Sequence, residues 1–146
     1  MTDYTKFTYS STTMAYNKNS SSYMPKFGLI RNNSGFFSIF CFNDKKQDYH
    51  RINFIQKYIN AHLCWLADNH AERIQRRLDD GSLYLYLRRL DNRACAVVDR
   101  QVEKWQETDK EYLLAKETGD FLREVGLMNN MIARAEEIMY PCIIYA

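Results

Sequence analysis

The sequence predicts an α+β fold: an N-terminal β-hairpin, or small antiparallel sheet, packed on a four-helix assembly with two long antiparallel helices. Three observations carry this expectation. A turn-forming cluster, Asn32-Asn33-Ser34-Gly35, separates two apolar arms. From Asp48 onward the spacing of apolar residues changes from two to about three and a half, the period of a helix. Capping residues, Gly and Pro then divide the helical stretch into pieces with short connections, which favours antiparallel neighbours. At 146 residues the chain fits one domain, organised as a Tyr/Ser-rich segment and hairpin (1–47), a helical body (48–140) and a tail strand (141–146).

The first segment is biased. Ten of the first 22 residues are Ser or Thr, with Tyr4, Tyr9 and Tyr16 interleaved. Ordering such a stretch costs chain entropy with little core to bury, so part of residues 1–24 is expected to be mobile. Phe7 and Tyr9 alternate with hydroxyl residues, which fits a strand over residues 6–11. The hairpin follows: Phe27-Gly28-Leu29-Ile30-Arg31, the turn, then Phe36-Phe37-Ser38-Ile39-Phe40-Cys41-Phe42. The return arm is almost wholly apolar, so both of its faces need cover. A lone hairpin is unstable in water, so this one must pack on the helices or join another sheet.

Ile52, Ile55, Ile59, Leu63 and Leu66 mark the stripe of a first helix. Asp68 or Asn69 caps a short second helix over residues 71–80, with Ile74 and Leu78 inward. Gly81 suits the left-handed position after it, and Ser82 caps the third helix, whose stripe runs Leu83, Leu87, Leu90, Ala94, Val97/Val98, Val102 and Trp105. Thr108 and Glu111 form a capping box that opens the last helix. Its stripe is Leu114, Phe121, Val125, Met128, Ile132, Ala135 and Met139. Gly119 is a kink point, Gly126 permits a close helix crossing, and Pro141 ends the helix. The tail Cys142-Ile143-Ile144-Tyr145 reads as a strand able to pair with the hairpin.

Composition narrows function. A chain of this length buries roughly 68–70% of its unfolded surface, enough for a core without metal or disulfide staples. The aromatic share of 14% is high and rich in Tyr, which serves interfaces as well as cores. Residues 1–93 carry 14 Lys/Arg against 8 Asp/Glu, and residues 94–146 carry 6 against 10. That polarity suggests two faces with different partners, or self-association of opposite ends. Cys41, Cys64, Cys95 and Cys142 are widely spaced among apolar neighbours, with no Cys-x-x-Cys pair. There is no apolar leader and no run approaching the ~20 residues of a membrane helix. A reduced, cytoplasmic protein without membrane attachment is expected.

No assembled chemistry is evident. His62 and Cys64 are two apart on a helix and so point to different faces, and His70 adds no metal spacing. Cys64 and Cys95 lack any nucleophile signature. The adjacent carboxylates Asp79–Asp80 and Glu136–Glu137 point roughly 100° apart on a helix and form no acid/base dyad. The glycines are scattered and cradle no phosphate. The expected reading is no enzyme, no cofactor and no metal.

Two charged clusters remain. Arg73, Arg76 and Arg77 share a helical face, and Arg88, Arg89 and Arg93 repeat that arrangement on the next helix. Arg forks suit phosphates and carboxylates, although a solvated face paired with Glu72, Asp79, Asp80 and Asp91 explains them equally. Glu103, Glu107, Asp109, Glu111, Glu117, Asp120 and Glu124 form an acidic run. Such a face can mimic a phosphate track on another protein, or be an ordinary helix exterior.

One further signal lies in the C-terminal half. Leu78-Asp79-Asp80-Gly81-Ser82-Leu83-Tyr84-Leu85-Tyr86-Leu87 is similar to an "LLLSGKLYxHL" turn, followed by Leu90-Asp91-Asn92-Arg93-Ala94. The more specific stretch is Met128-Asn129-Asn130-Met131-Ile132-Ala133-Arg134-Ala135-Glu136-Glu137-Ile138, closed by Ile143-Ile144-Tyr145-Ala146. Through these residues, 70–146 resembles the TnpV family of transposon-encoded proteins. The longer Tyr/Ser-rich and hairpin region, and the linker between the long helices, depart from that pattern. The resemblance implies a small bacterial protein carried on mobile elements, without catalytic residues, and an excision-factor-like role in DNA recombination.

Two functions follow as expectations. One is a binding protein that docks on and inhibits a host protein or nucleoprotein, such as a CRISPR effector nuclease, in the manner of an anti-CRISPR. Its anchors would be Tyr9, Tyr16, Phe36 and Phe37, with Glu103, Glu107, Glu111, Glu117, Asp120 and Glu124 as the mimic. The other is a DNA-binding accessory factor of transposition or excision, using Arg73, Arg76, Arg77, Arg88, Arg89 and Arg93. A homodimer is compatible with either.

Overall fold

The computed structural model describes residues 6–146. It is an α+β fold with an N-terminal antiparallel sheet. The chain forms two compact units, the first running to Arg89 and the second spanning Leu90–Ala146.

In the first unit six strands precede the helices: β1 (Tyr9–Ser10), β2 (Met14–Asn17), β3 (Ser22–Pro25), β4 (Phe27–Arg31), β5 (Phe37–Asn43) and β6 (Asp48–Asn53). The main sheet has the order β1-β4-β5-β6, and β2 and β3 pair as a separate ribbon. The expected hairpin is β4–β5, closed by Asn32, whose side chain accepts from the N–H groups of Ser34 and Phe36, and by Gly35 at φ +84°. The register puts Phe27, Cys41 and His50 in one cross-strand row and Leu29, Ile39 and Ile52 in the next. Strand alternation sends both rows to one face. There Leu29, Phe37 and Ile39 join Ile59, Leu63, Leu66, Ile74, Leu78, Leu83 and Leu87 in a single core. The opposite face is covered by aromatics. Phe40 lies 5.2 Å from Phe7 and Phe42 lies 5.3 Å from Tyr49, while Ala15 and Met24 of the ribbon complete the layer. Gly28 is required here, because a Cβ would overlap the Phe7 ring. Both faces of β5 are therefore buried, as its apolar run demands.

The biased segment forms strands from Tyr9 onward. Residues 9–25 contribute β1, β2 and β3, and the strand expected over 6–11 shortens to Tyr9–Ser10. The reason is long-range bonding: Thr12 N–H donates to Asp79 Oδ1 at 2.7 Å, Gln75 Nε2 donates to Ser10 O at 2.7 Å, and the Thr13 hydroxyl donates to Asp79 O.

Residues 48–53, expected to begin a helix, instead form β6. Their short alternation pairs with β5, and Ile52 reaches the core row through strand geometry. Ile55 is 82% exposed and lies before helix α1 (Lys57–Asn69). Buried Asn60 joins the two layers: its Oδ1 accepts from Phe37 N–H at 2.8 Å, and its Nδ2 donates to Phe54 O at 2.8 Å and Gln56 O at 3.0 Å. Helix α2 (Ala71–Asp79) starts from His70 without a side-chain cap, so neither Asp68 nor Asn69 caps it. It ends as expected. Gly81 adopts φ +75°, Ser82 N–H reaches Arg77 O at 2.9 Å and Gly81 N–H reaches Leu78 O at 3.3 Å, the paired bonds of a Schellman stop.

Helix α3 (Leu83–Thr108) begins in the first unit and ends in the second. The expected long last helix is broken into α4 (Lys110–Thr118) and α5 (Phe121–Met139), so the described residues hold five helices rather than four. Gly119 ends α4 at φ +74° through a second Schellman pair, to Lys116 O and Ala115 O. Asp120 then caps α5 by accepting from Arg123 N–H at 3.3 Å. Asp109, rather than the Thr108–Glu111 box, caps α4 by accepting from Tyr112 N–H at 3.1 Å. The break resets the helical phase. Tyr112, Ala115, Met131, Ala135 and Met139 are buried, whereas Leu114, Phe121 and Val125 of the expected stripe are exposed. A Cβ at Gly126 would meet nothing within 4 Å, so this glycine marks no close helix crossing. The tail is not a strand. Residues Tyr140–Ile144 continue as a π turn, with Tyr145 N–H donating to Tyr140 O at 2.9 Å and Pro141 accommodated in its first turn.

Candidate docking surface

The second unit exposes an apolar surface around the α4–α5 turn. Leu113 (43% exposed), Leu114 (60%), Phe121 (70%), Leu122 (84%) and Val125 (39%) lie within thirteen residues on two helices packed together. Gly119 and Asp120 make this local. A left-handed stop followed at once by a new cap reverses the chain tightly and presents Phe121 and Leu122 on the first turn of α5. Carboxylates fall in the same two helices. Glu111 and Glu117 are exposed on α4, Asp120 is exposed at the cap and Glu124 is half-buried on α5. Glu111 Oε2 pairs with Arg123 Nη2 at 3.3 Å, fastening the start of α4 to the start of α5, although an ion pair this exposed contributes little energy. Glu103 and Glu107 are exposed near the end of α3. Asp109 and Asp120 spend an oxygen each on capping, so they are less available as phosphate mimics than the glutamates.

The aromatic candidates separate. Phe37 is buried in the core and Tyr9 is half-buried against it, so neither is a docking anchor. Phe36 is exposed at the hairpin turn. Tyr16 is exposed and faces Tyr23 across the ribbon, with ring centres 5.2 Å apart and Met14 also exposed. Sequence reasoning misses Tyr23 and Met14. The signal that could have found Met14 is the alternation Met14-Ala15-Tyr16-Asn17, in which Ala15 and Asn17 face inward; Tyr23 then follows as the cross-strand partner of Tyr16. Tyr4 lies outside the described residues.

The arginines also divide. Arg77 stacks on Tyr86, with its Cζ 3.8 Å from the ring centre, and its Nη1 approaches the Ser82 hydroxyl at 3.4 Å. Arg73 lies over Trp65 and reaches the Tyr86 hydroxyl at 3.5 Å. Arg76, Arg88, Arg89 and Arg93 are exposed, and Arg93 belongs to the second unit. The triad on α2 is thus largely committed to aromatic stacking rather than presented as one phosphate-binding face.

The groups weighed for chemistry have structural partners. His62 is fully buried, with Nε2 2.7 Å from the Tyr86 hydroxyl and its ring stacked near Trp65. The Thr12 N–H holds the Asp79 carboxyl below its usual range, and the Ser82 hydroxyl and N–H do the same for Asp80. Burial pushes the Cys41 thiol up, away from the reactive thiolate. Burial, then Glu136, pushes the Tyr140 phenol up. Among the described residues no disulfide forms, no group of three or more His, Cys, Asp or Glu is placed to hold a metal ion, and no helix is long and apolar enough to cross a membrane. Against known family models, curated proteins and solved structures, the chain has no match.

Proposed function

We propose that this chain is a non-enzymatic binding protein that docks on and inhibits a host protein or nucleoprotein in the cytoplasm. The supporting observation is the α4–α5 turn, where Phe121 and Leu122 stand 70% and 84% exposed, with the acidic residues Glu117, Asp120 and Glu124 close by in sequence. A large apolar pair with charged neighbours matches the composition of an interface core with a polar rim. The acidic neighbours favour a basic target, which is the surface of a protein that handles nucleic acid. The resemblance of residues 70–146 to a transposon-encoded family suggests a host defence nuclease as the class, with a CRISPR effector as its clearest instance. The test is cleavage by such an effector with stoichiometric chain present. Inhibition with co-elution supports the reading; unchanged cleavage without co-elution refutes it.

Exposed Arg88 and Arg89, one turn before Arg93 on α3, favour a second reading as a DNA-binding accessory factor of transposition or excision. That reading requires duplex binding that weakens steeply with salt. A gel shift with no retardation at low salt refutes it.

A further inference from the structure

The first unit carries an exposed aromatic surface on the outer face of the β2–β3 ribbon. Ala15, Asn17 and Met24 are buried beneath the ribbon, so strand alternation sends Met14, Tyr16 and Tyr23 outward. Met14 is 48% exposed, Tyr16 44% and Tyr23 67%. Tyr16 and Tyr23 are cross-strand partners, with ring centres 5.2 Å apart. The ribbon is held from behind: the Tyr49 hydroxyl donates to Pro25 O at 2.6 Å, and Asn17 Nδ2 donates to Met24 Sδ at 3.3 Å. The two rings thus stand on a fixed support, and core packing does not account for them.

Charge decides the class of partner. The ribbon tip and the β5–β6 turn lie side by side, because Lys18 N–H donates to Gln47 Oε1 at 2.7 Å. Each tip is folded on one asparagine. Asn17 Oδ1 accepts from Asn19 N–H at 2.9 Å, and Asn43 Oδ1 accepts from Lys45 N–H at 2.9 Å and Lys46 N–H at 3.1 Å. Lys18, Lys45 and Lys46 are exposed there, and among the described residues none of them forms an ion pair. Asp44 and Asp48 share the turn, but Asp48 Oδ1 is occupied by the Tyr49 N–H at 2.7 Å. Over residues 6–53 seven Lys and Arg stand against these two Asp, which favours an anionic partner. The flat exposed rings favour a single nucleic-acid strand over an acidic protein. In such a strand every base offers a face to stack on and every step a phosphate, whereas a duplex keeps its bases stacked on one another.

We propose that the ribbon binds single-stranded nucleic acid, with bases stacked on Tyr16 and Tyr23 and phosphates on Lys18, Lys45 and Lys46. Met14 extends the apolar strip beyond Tyr16. Stacking and point charges read no base edge, so binding is tolerant of sequence. The site uses no residue of the α4–α5 surface and neither Arg88 nor Arg89.

The experiment is fluorescence anisotropy of the full chain with labelled oligothymidylate and oligouridylate of about twelve nucleotides, a length within the range of one such site. The two probes separate DNA from RNA as the source of the strand. Saturable binding of at least one is expected, with a duplex of equal length bound about tenfold more weakly. The logarithm of affinity should fall with the logarithm of salt at a slope of about 2, set by three phosphate contacts, and Lys45→Gln with Lys46→Gln should bring it below about 1. Tyr16→Ala and Tyr23→Ala should each weaken binding about tenfold, whereas Tyr16→Phe and Tyr23→Phe should preserve it. Arg88→Gln with Arg89→Gln should leave it unchanged, which distinguishes this site from duplex binding on α3. Thermal melts of each variant establish folding, and the wild-type comparison of single strand with duplex stands even where a variant unfolds. Absence of saturable binding at low salt, or equal binding of strand and duplex, would overturn the proposal. So would undiminished affinity in folded Tyr16→Ala with Tyr23→Ala. Displacement of the probe by polyglutamate as readily as by unlabelled strand would overturn it too, and assign the surface to an acidic protein.

Discussion

Replacing Asn60 with Ala tests whether one side chain joins sheet to helix in the first unit. The carboxamide satisfies the Phe37 N–H and the Phe54 and Gln56 carbonyls, at 2.8, 2.8 and 3.0 Å. Phe37 and Phe54 are 1% and 2% exposed, so water cannot replace what the substitution removes. Leaving a buried donor or acceptor unpaired costs about 1–3 kcal/mol each. Two such groups, with some relaxation, give about 2–4 kcal/mol. At a urea dependence of about 1–3 kcal/mol per molar, the midpoint should fall by about 1–3 M. The control is Asn69→Ala, whose exposed Nδ2 bonds only Trp65 O of its own helix and whose loss should stay within about 0.5 kcal/mol. Urea unfolding followed by circular dichroism gives both numbers. An Asn60→Ala midpoint equal to that of the control, at an unchanged slope, would refute the reasoning.

Other outcomes follow from the same geometry. Phe121→Ser with Leu122→Ser removes exposed side chains only, so stability should change by less than about 0.5 kcal/mol while affinity for an inhibited nuclease falls by about 2 kcal/mol or more, read by calorimetric titration. Gly119→Ala should destabilise by about 1 kcal/mol because φ is +74° there, whereas Gly126→Ala, in open helix, should stabilise by about 0.5–1 kcal/mol; thermal melts should show shifts of opposite sign. The Asp79 carboxyl is held down mainly by the Thr12 N–H, so its stabilisation is fully present above the unfolded value of about 3.9 and is lost as pH falls through the lower folded value. Asp79→Asn should therefore be less stable than the wild type at pH 7, with the gap closing toward pH 2 in denaturant titrations.

The sequence made some elements readable because a local rule had no competitor. Between Phe27 and Phe42 the turn residues, the alternation and the apolar run agree, and the hairpin forms there. Gly81 with Ser82 matches a stop whose bonds all lie within six residues. Elsewhere two rules competed. Ile52 and Ile55 stand three apart, a helical spacing, yet pairing of Asp48–Asn53 with β5 prevails because β5 needs a partner on that side. Leu114, Phe121 and Val125 look inward on an unbroken helix; the Gly119–Asp120 stop and start changes which residues face the interior. Both signals were present, but a kink and a full break look alike until the capping bonds are seen. The exposed residues around the α4–α5 turn were legible as carboxylates and hidden as apolar residues, since periodicity cannot separate a core stripe from an exposed one. The meeting of the ribbon tip with the β5–β6 turn could not be read at all, because it depends on a bond between Lys18 and Gln47, 29 residues apart in sequence.

The margins of the main sheet have a consequence of their own. One outer strand, β1, is two residues long, and the other, β6, carries exposed Asp48, His50 and Arg51. Short or charged edges deny incoming strands a flat template of open N–H and C=O groups. The main sheet of a chain that keeps greasy helix residues in water thus offers little backbone template for fibrils. Crowding it should yield assemblies that detergent disperses and that leave amyloid dyes dark.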